Sequence, residues 1–473
     1  MRGFTSATFG LMTERIHFIA IGGAAMHNLA LALHQKGYKI SGSDDEINEP
    51  SRSRLKAAGM LPQADGWFPE KITKELDGVI LGMHARADNP ELIRATELGI
   101  PIYSYPEFLY KHSKDKVRVV IGGSHGKTTI TAMILHVLRS QNIDFDYMVG
   151  AKLDGFDTMV RISEAPLIVL EGDEYLSSPV DRRPKFHLYQ ATIGLISGIA
   201  WDHINVFPQY EDYVKQFSIF AEGIPSTGKL IYCENDPEVK TVCSSSAIKA
   251  GKMAYGLPKH RIVNGVTILE TAQGDVPLQV FGDHNLMNME GARLVCNQLQ
   301  VSDQAFFAAI SGFKGAARRL ELLQRNETVA VFKDFAHSPS KLKATTEAVR
   351  QQFPSRKLVA CMELHTFSSL NENFLAQYAG SMDTADLAIV YFNPHTIAHK
   401  KLKEISPEMV RKAFQNEKIK VYTDSTILRK DLTAIDSSNS VFLLMSSGTF
   451  DGMDLDLLAK EIVSQKDPVS KVS

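Results

Sequence analysis

The segment Val117-Arg-Val-Val-Ile-Gly-Gly-Ser-His-Gly-Lys127-Thr128-Thr129 decides how the chain is read. Its opening β-branched run, bounded by glycine, predicts a buried strand. The apolar-rich stretch from Lys127 to about Ser140 predicts a helix, so the glycines occupy a strand–loop–helix turn. Backbone N–H groups in such a turn, together with the positive end of the helix, converge on phosphate. A lysine there offsets β/γ-phosphate charge, and a hydroxyl directly after it suits Mg²⁺. Gly123, Ser124, His125, Gly126, Lys127, Thr128 and Thr129 are therefore the candidate ATP-binding residues, with Thr128 also a metal ligand. The standard eight-residue phosphate loop would require glycine at position 121, where this chain has Ile, so a shorter loop is expected.

Downstream, Pro166-Leu-Ile-Val-Leu-Glu171 reads as a second buried strand ending in an acid, and Glu171-Gly-Asp-Glu174 continues it. Acids at the C-terminal ends of strands in a phosphate-loop domain are where Mg²⁺ ligands fall. Asp202-His203 follows another apolar run. A histidine there is more often a packed loop residue, although with phosphate oxygens nearby it suits a divalent ion. Gly282-Asp-His-Asn285-Leu-Met-Asn288 places two amides three apart at a helix start; they suit a purine edge, or, equally well, helix capping. Arg318-Arg319 and Asp334-Phe-Ala-His337 open the last third of the chain, where an arginine on a moving domain suits γ-phosphate charge and a plain surface pair is the alternative.

Upstream, the strand Ile16–Ile21 turns at Gly22-Gly23 into a helix from about Met26. Ser43-Asp44 follows a second strand. The turn imitates a dinucleotide fingerprint but has Ala24 and Ala25 where a complete GxGxxG would need otherwise, so a nucleotide diphosphate is expected there without NAD specificity.

The whole chain of 473 residues is 44% hydrophobic and 22% charged, with Lys+Arg 52 against Asp+Glu 54 and a formal net charge of −2. These values fit a soluble multidomain protein; no basic field points to nucleic acid and no apolar run to membrane insertion. Four scattered cysteines without a CxxC pair favour a reducing cytoplasm. Met1–Leu11 has no signal-peptide character, and Met12 is a candidate natural start, checked by N-terminal sequencing of the native protein. The alternation of short apolar runs with amphipathic stretches predicts an α/β protein of three domains: a Rossmann-like domain over 1–112, a phosphate-loop ATPase domain over 113–316, and a Rossmann-like domain over 317–473.

Taken together, Ile-Gly-Gly with Ser-Asp44, Gly-Ser-His-Gly-Lys-Thr-Thr, Glu-Gly-Asp-Glu, Asp-His203, Gly-Asp-His-Asn-Leu-Met-Asn, Ala-Arg-Arg-Leu-Glu and Asp-Phe-Ala-His resemble the Mur ligase family, the ATP-dependent amide-forming enzymes of peptidoglycan assembly. The resemblance covers nearly the whole chain from about Arg15. It implies ATP and Mg²⁺ as cofactors, and as substrates UDP-N-acetylmuramate and an amino acid or short peptide. It also implies roles: Lys127 on the β/γ-phosphates; Thr128, Glu171 and His203 on metal; Asn285 and Asn288 on adenine. Arg318, Arg319, Asp334 and His337 fall on the nucleotide side. Gly22, Gly23, Ala24, Ala25, Met26, Ser43, Asp44 and His84 fall on the sugar nucleotide. Within the family the chain resembles the ligases that attach the recycled tripeptide L-alanyl-γ-D-glutamyl-meso-diaminopimelate more than those that add L-alanine. Asp181-Arg-Arg-Pro-Lys-Phe186 carries that preference. Ser338 and Glu363-Leu-His-Thr-Phe depart from the family pattern and bear on the acceptor. A silent nucleotide-sugar sensor would not need Lys127, Thr128 and Glu171 together, and a plain NAD dehydrogenase would leave the phosphate loop without a role.

Overall fold

The computed structural model describes residues 14–83, 85–153, 155–263, 265–315 and 320–464. The chain forms two compact units: residues up to Val120 with Asp144–Thr192, and Ile121–Ile143 with Ile193 onward.

In the first unit, β1 (Arg15–Ile19), β2 (Lys39–Ser43), β3 (Gly78–Leu81) and β4 (Ile102–Ser104) form a parallel sheet of order β2-β1-β3-β4. The helix Ala24–Gln35 follows β1 directly and buries Met26, Leu29, Ala30 and Leu33. Because β1 is central in the sheet, the turn after it opens at the C-terminal edge where α/β sheets bind ligands. β5 (Val117–Gly122) carries the chain into the second unit. The first unit also holds β6 (Asp146–Met148), β7 (Val160–Arg161) and β8 (Leu167–Glu171), with β6 parallel to β8 and antiparallel to β7.

In the second unit, β9 (Ile193–Ile196), β10 (Lys229–Cys233) and β11 (Gly251–Tyr255) run parallel. The helices Lys127–Ser140 and Asp283–Gln298 pack on one another. β12 (His260–Val263), β13 (Val266–Thr271) and β14 (Gly274–Leu278) make an antiparallel sheet. The C-terminal layer is a six-stranded sheet of β15 (Glu321–Arg325), β16 (Val329–Asp334), β17 (Lys357–Leu364), β18 (Leu387–Phe392), β19 (Lys420–Tyr422) and β20 (Ser440–Met445), in the order β15-β16-β20-β17-β18-β19. Only β15 is antiparallel to its neighbour. β17 and β20 are buried almost from end to end, which is why Leu-Val-Ala-Cys-Met and Val-Phe-Leu-Leu-Met read as continuous apolar runs rather than alternating ones. Asp334 ends β16, Ser446 directly follows β20 and Glu363 is the last residue but one of β17, so the three lie on adjacent strands at one edge of the sheet.

Candidate active site

The phosphate loop is built by two left-handed glycines. Gly123 has φ +132° and Gly126, which precedes the helix Lys127–Ser140, has φ +78°. A Cβ on Gly123 would lie 2.1 Å from Ser197 Oγ, and one on Gly126 would lie 2.3 Å from Asn288 Oδ1. Ser197 is the residue directly after β9; its N–H donates to Gly122 O at 3.1 Å and its hydroxyl to the carbonyl of His125. Ser124 N–H donates to Gly198 O at 2.9 Å, while Ser124 Oγ accepts from Ala200 N at 2.8 Å. The loop is thus clamped to the chain after β9. Lys127 Nζ bends back to Gly123 O at 2.6 Å, across the hollow of the loop, and Thr128 and Thr129 are buried in the first turn. This cradle fits a triphosphate: glycine backbone, helix N-terminus, lysine and hydroxyl converge on one concavity.

Beside it lies a cavity of about 510 Å³ in the same unit, lined by His125, Tyr210, Asp236, His284 and Asn288 among others. Burial pushes both imidazoles down to about 4; Lys341 and Lys127 add to the effect on His125, as His125 does on His284. Both rings are therefore neutral at pH 7 and offer one donor and one acceptor each, suited to a heteroaromatic base. Asn288 lines this cavity, whereas Asn285 donates from Nδ2 to Phe281 O at 2.9 Å and serves its own helix start. Asn285 is buried with its amide bonded to the carbonyl before the helix, and His284 stands at the cavity beside Asn288. His284 lies inside the motif already singled out, and the helical spacing 284/288 is the signal that marks it.

Asp202 and His203 follow β9 on the same unit. His203 has φ +56°, and its N–H donates to Asp202 Oδ1 at 2.8 Å. Burial alone would raise the Asp202 carboxyl, yet Lys341, His203 and His337 hold it below the ordinary carboxylate range. Asp334 is buried and its carboxylate holds backbone: Leu320 N at 2.7 Å and Ala336 N at 2.7 Å. It fixes the start of the C-terminal layer. His337 Nδ1 sits 2.8 Å from Phe335 O. Arg318, Arg319 and His84 lie outside the described residues.

In the first unit, Glu171 ends β8 and accepts from Gly150 N at 2.8 Å. Two further acids accompany it: Asp173, paired with Lys185 at 2.6 Å, and Glu174, almost fully buried. Glu171 belongs to the first unit and the phosphate loop to the second. Carboxylates, a threonine hydroxyl and an imidazole are the donor set a hard divalent ion accepts.

A second cavity, about 700 Å³, opens at the C-terminal edge of β1. Gly22, Gly23, Ala24, Met26 and Asp44 line it; Ala25 and Ser43 do not. Asp44 Oδ2 accepts from Gly22 N at 2.7 Å and so closes the glycine turn. Ser43 is buried beneath, with Lys71 Nζ 3.4 Å from its hydroxyl. Arg54 and Lys152 are the cations on the wall; Arg54 Nη1 reaches His27 Nε2 and Asn28 Oδ1, each at 3.0 Å. Neither cation carries a sequence signature. Burial, reinforced by Asp45, pushes the Asp44 carboxyl up to about 6. A carboxyl raised in the folded state costs stability once both states ionise, so this contribution falls as pH rises through the interval from about 4 to about 6. Relative to wild type, Asp44→Asn is expected to lose less stability across that interval in urea titrations; parallel curves for the two proteins would refute the assignment.

Comparison with known proteins agrees with this geometry. Residues 15–117 match the model of the Mur ligase family, catalytic domain; residues 121–296 match the Mur ligase middle domain; residues 318–448 match the Mur ligase, glutamate ligase domain. The chain is 30% identical over 456 residues to the UDP-N-acetylmuramate–L-alanine ligase of Sulfurihydrogenibium sp., covering 94% of this chain and 97% of that one. It is 30% identical over 415 residues to the ligase of the same name from Clostridium kluyveri, covering 85% and 88%. Among solved structures it is similar in fold to a murein peptide ligase from Psychrobacter arcticus (TM-score 0.64, 22% identity, 96% of this chain and 100% of that one). It is likewise similar to the UDP-N-acetylmuramate-alanine ligase of Thermotoga maritima (TM-score 0.68, 20% identity, 95% and 98%). No helix among the described residues is long and apolar enough to cross a membrane. The three domain matches in order, and relatives aligned almost end to end, place the chain in the Mur ligase family of ATP-dependent amide ligases.

Proposed function

We propose that this chain is a cytoplasmic enzyme that joins the carboxylate of UDP-N-acetylmuramate to the amino group of L-alanine, with hydrolysis of ATP to ADP and phosphate. The observation that carries the acceptor is the name shared by relatives aligned over 94% and 85% of the chain. The tripeptide L-alanyl-γ-D-glutamyl-meso-diaminopimelate is a second reading, favoured by the excursion after Glu171. There Leu176 pairs with Pro184, Ser177 N–H donates to Arg183 O at 3.0 Å, and Arg182 is left exposed at the tip. An exposed guanidinium suits an acceptor that carries several carboxylates.

A carboxylate is a poor electrophile, so the muramoyl oxygen first attacks the γ-phosphorus and ADP leaves. The acceptor amine then attacks the acyl phosphate, loses a proton, and phosphate departs. In this account Lys127 holds the β/γ-phosphates, the backbone of Gly123–Thr129 cradles them, and Asn288 with His284 holds adenine. Gly22, Gly23, Ala24 and Met26 seat the sugar nucleotide's diphosphate, and Asp44 orders the turn. Thr128, Glu171 and His203 would hold Mg²⁺, which supplies charge neutralisation on the phosphates when bound. Arg318 or Arg319, together with His337, completes the charge stabilisation from the third domain. We take the functional domains as 1–112, 113–316 and 317–473.

The test is phosphate release with ATP, Mg²⁺ and UDP-N-acetylmuramate, comparing L-alanine with the tripeptide. Turnover mainly with L-alanine is expected; turnover only with the tripeptide would replace this acceptor with the second reading. Release that depends on neither would reject the ligase assignment.

A further inference from the structure

The turn Asp202-His203-Ile204 docks on the C-terminal layer of its own unit. Ile204 packs against the core cluster that includes Ala336, Leu342, Leu370 and Tyr378. Beside it Lys341, in the first turn of the helix Pro339–Gln352, places Nζ 3.7 Å from Asp202 Oδ2. Pro339 begins that helix with a φ already suited to it, so the first turn, and Lys341 with it, is well set. The other oxygen of Asp202 accepts from the N–H of His203 at 2.8 Å. His203 depends on such a hold, because its φ of +56° lies in the left-handed region that side-chain-bearing residues avoid. The carbonyl of His203 closes the turn by accepting from Val206 N at 2.8 Å and Phe207 N at 2.9 Å. A chain of contacts therefore runs from the C-terminal layer through Lys341 and Asp202 to the backbone of His203. The Asp202 and Lys341 side chains are only 16% and 25% exposed, so the pair is shielded from much of the solvent screening that weakens surface pairs.

We infer that Lys341 is a positioning residue: by anchoring Asp202 it holds His203 in its left-handed turn, so that the imidazole is aimed at metal only while the C-terminal layer is docked. The inference rests on the reading of His203 as a ligand to a divalent ion. It couples metal affinity to the seating of the layer assigned to the acceptor. Lys341 stands outside the sequence of the phosphate loop, and its ammonium faces the Asp202 carboxylate.

The experiment titrates Mn²⁺ into the full-length protein saturated with a non-hydrolysable ATP analogue, reading free Mn²⁺ by electron paramagnetic resonance. Lys341→Met should weaken the His203-dependent Mn²⁺ by about 10-fold or more, as losses of outer-sphere partners do. Analogue affinity and any other Mn²⁺ should stay as in wild type. Lys341→Arg, which keeps the charge, should restore the affinity. Asp202→Asn should repeat the loss, and it tests the same link if Lys341→Met folds poorly. Wild-type Mn²⁺ binding in both Lys341→Met and Asp202→Asn, with the loss present in His203→Ala, would overturn the role of Lys341 alone. Full Mn²⁺ binding by His203→Ala would overturn the ligand reading and this inference together.

Discussion

Lys127→Ala is expected to lower ATP-dependent phosphate release by about a thousandfold or more, the scale of removing a main charge-stabilising group in phosphoryl or acyl transfer. The geometry gives the reason. Lys127 Nζ is drawn over the loop hollow to Gly123 O, 2.6 Å away, and stands where β/γ-phosphate charge must be met. The negative charge collects at each step of carboxylate activation, and no solvent cation can be held there as rigidly. Lys127→Arg should rescue little, because a planar fork does not replace a compact ammonium on a helix-borne stem. The fold should survive both changes, since Lys127 is only half-buried at a helix start. Steady-state phosphate release together with circular dichroism separates the two effects. Unchanged turnover in Lys127→Ala would remove the phosphate-loop assignment.

Gly123→Ala should damage both stability and nucleotide binding. Two costs add: φ of +132° is a region that only glycine occupies readily, and the new Cβ would meet Ser197 Oγ at 2.1 Å and Ser197 N at 3.0 Å. Ser197 cannot yield cheaply, because its N–H is bonded to Gly122 O and its hydroxyl to His125 O. Backbone strain and overpacking together correspond to about 2–5 kcal/mol. Gly99 provides the contrast: its φ is +68°, but nothing lies within 4 Å of a Cβ there. Gly99→Ala should cost only the backbone penalty of about 1 kcal/mol. Denaturant midpoints and nucleotide affinity should fall together in Gly123→Ala, and only the midpoint in Gly99→Ala. Equal midpoints for the two variants would show that the contact with Ser197 carries no weight.

How far residues alone reveal this molecule depends on whether their chemistry is local. The loop Gly123–Thr129 is legible because phosphate binding needs a strand, glycines, a lysine and a helix in immediate succession. β17 and β20 are legible because strands buried on both faces leave unbroken apolar runs. The glycine turn after β1 is legible for the same local reason, and most of the residues read there line one cavity. Asn285 shows the opposite case. Two amides at one helix start share one sequence signature, and only the structure shows Asn285 donating to Phe281 O while Asn288 lines the cavity. Asp334 looks like a nucleotide contact from its motif, whereas its carboxylate is bonded to Leu320 N and Ala336 N. Arg54, Lys152 and Lys341 are invisible in sequence because their partners, such as His27 for Arg54 and Asp202 for Lys341, lie far away along the chain. No periodicity or spacing records a contact that only folding creates.

In the proposed reaction the muramoyl carboxylate is activated by phosphoryl transfer before the amine attacks. UDP-N-acetylmuramate labelled with ¹⁸O in its lactyl carboxylate, turned over with ATP, Mg²⁺ and L-alanine, tests this directly. An acyl phosphate requires one labelled oxygen to leave with the phosphate, and mass spectrometry should find one ¹⁸O in each phosphate released and the other in the amide. Phosphate released without label, alongside amide formation, would contradict the account.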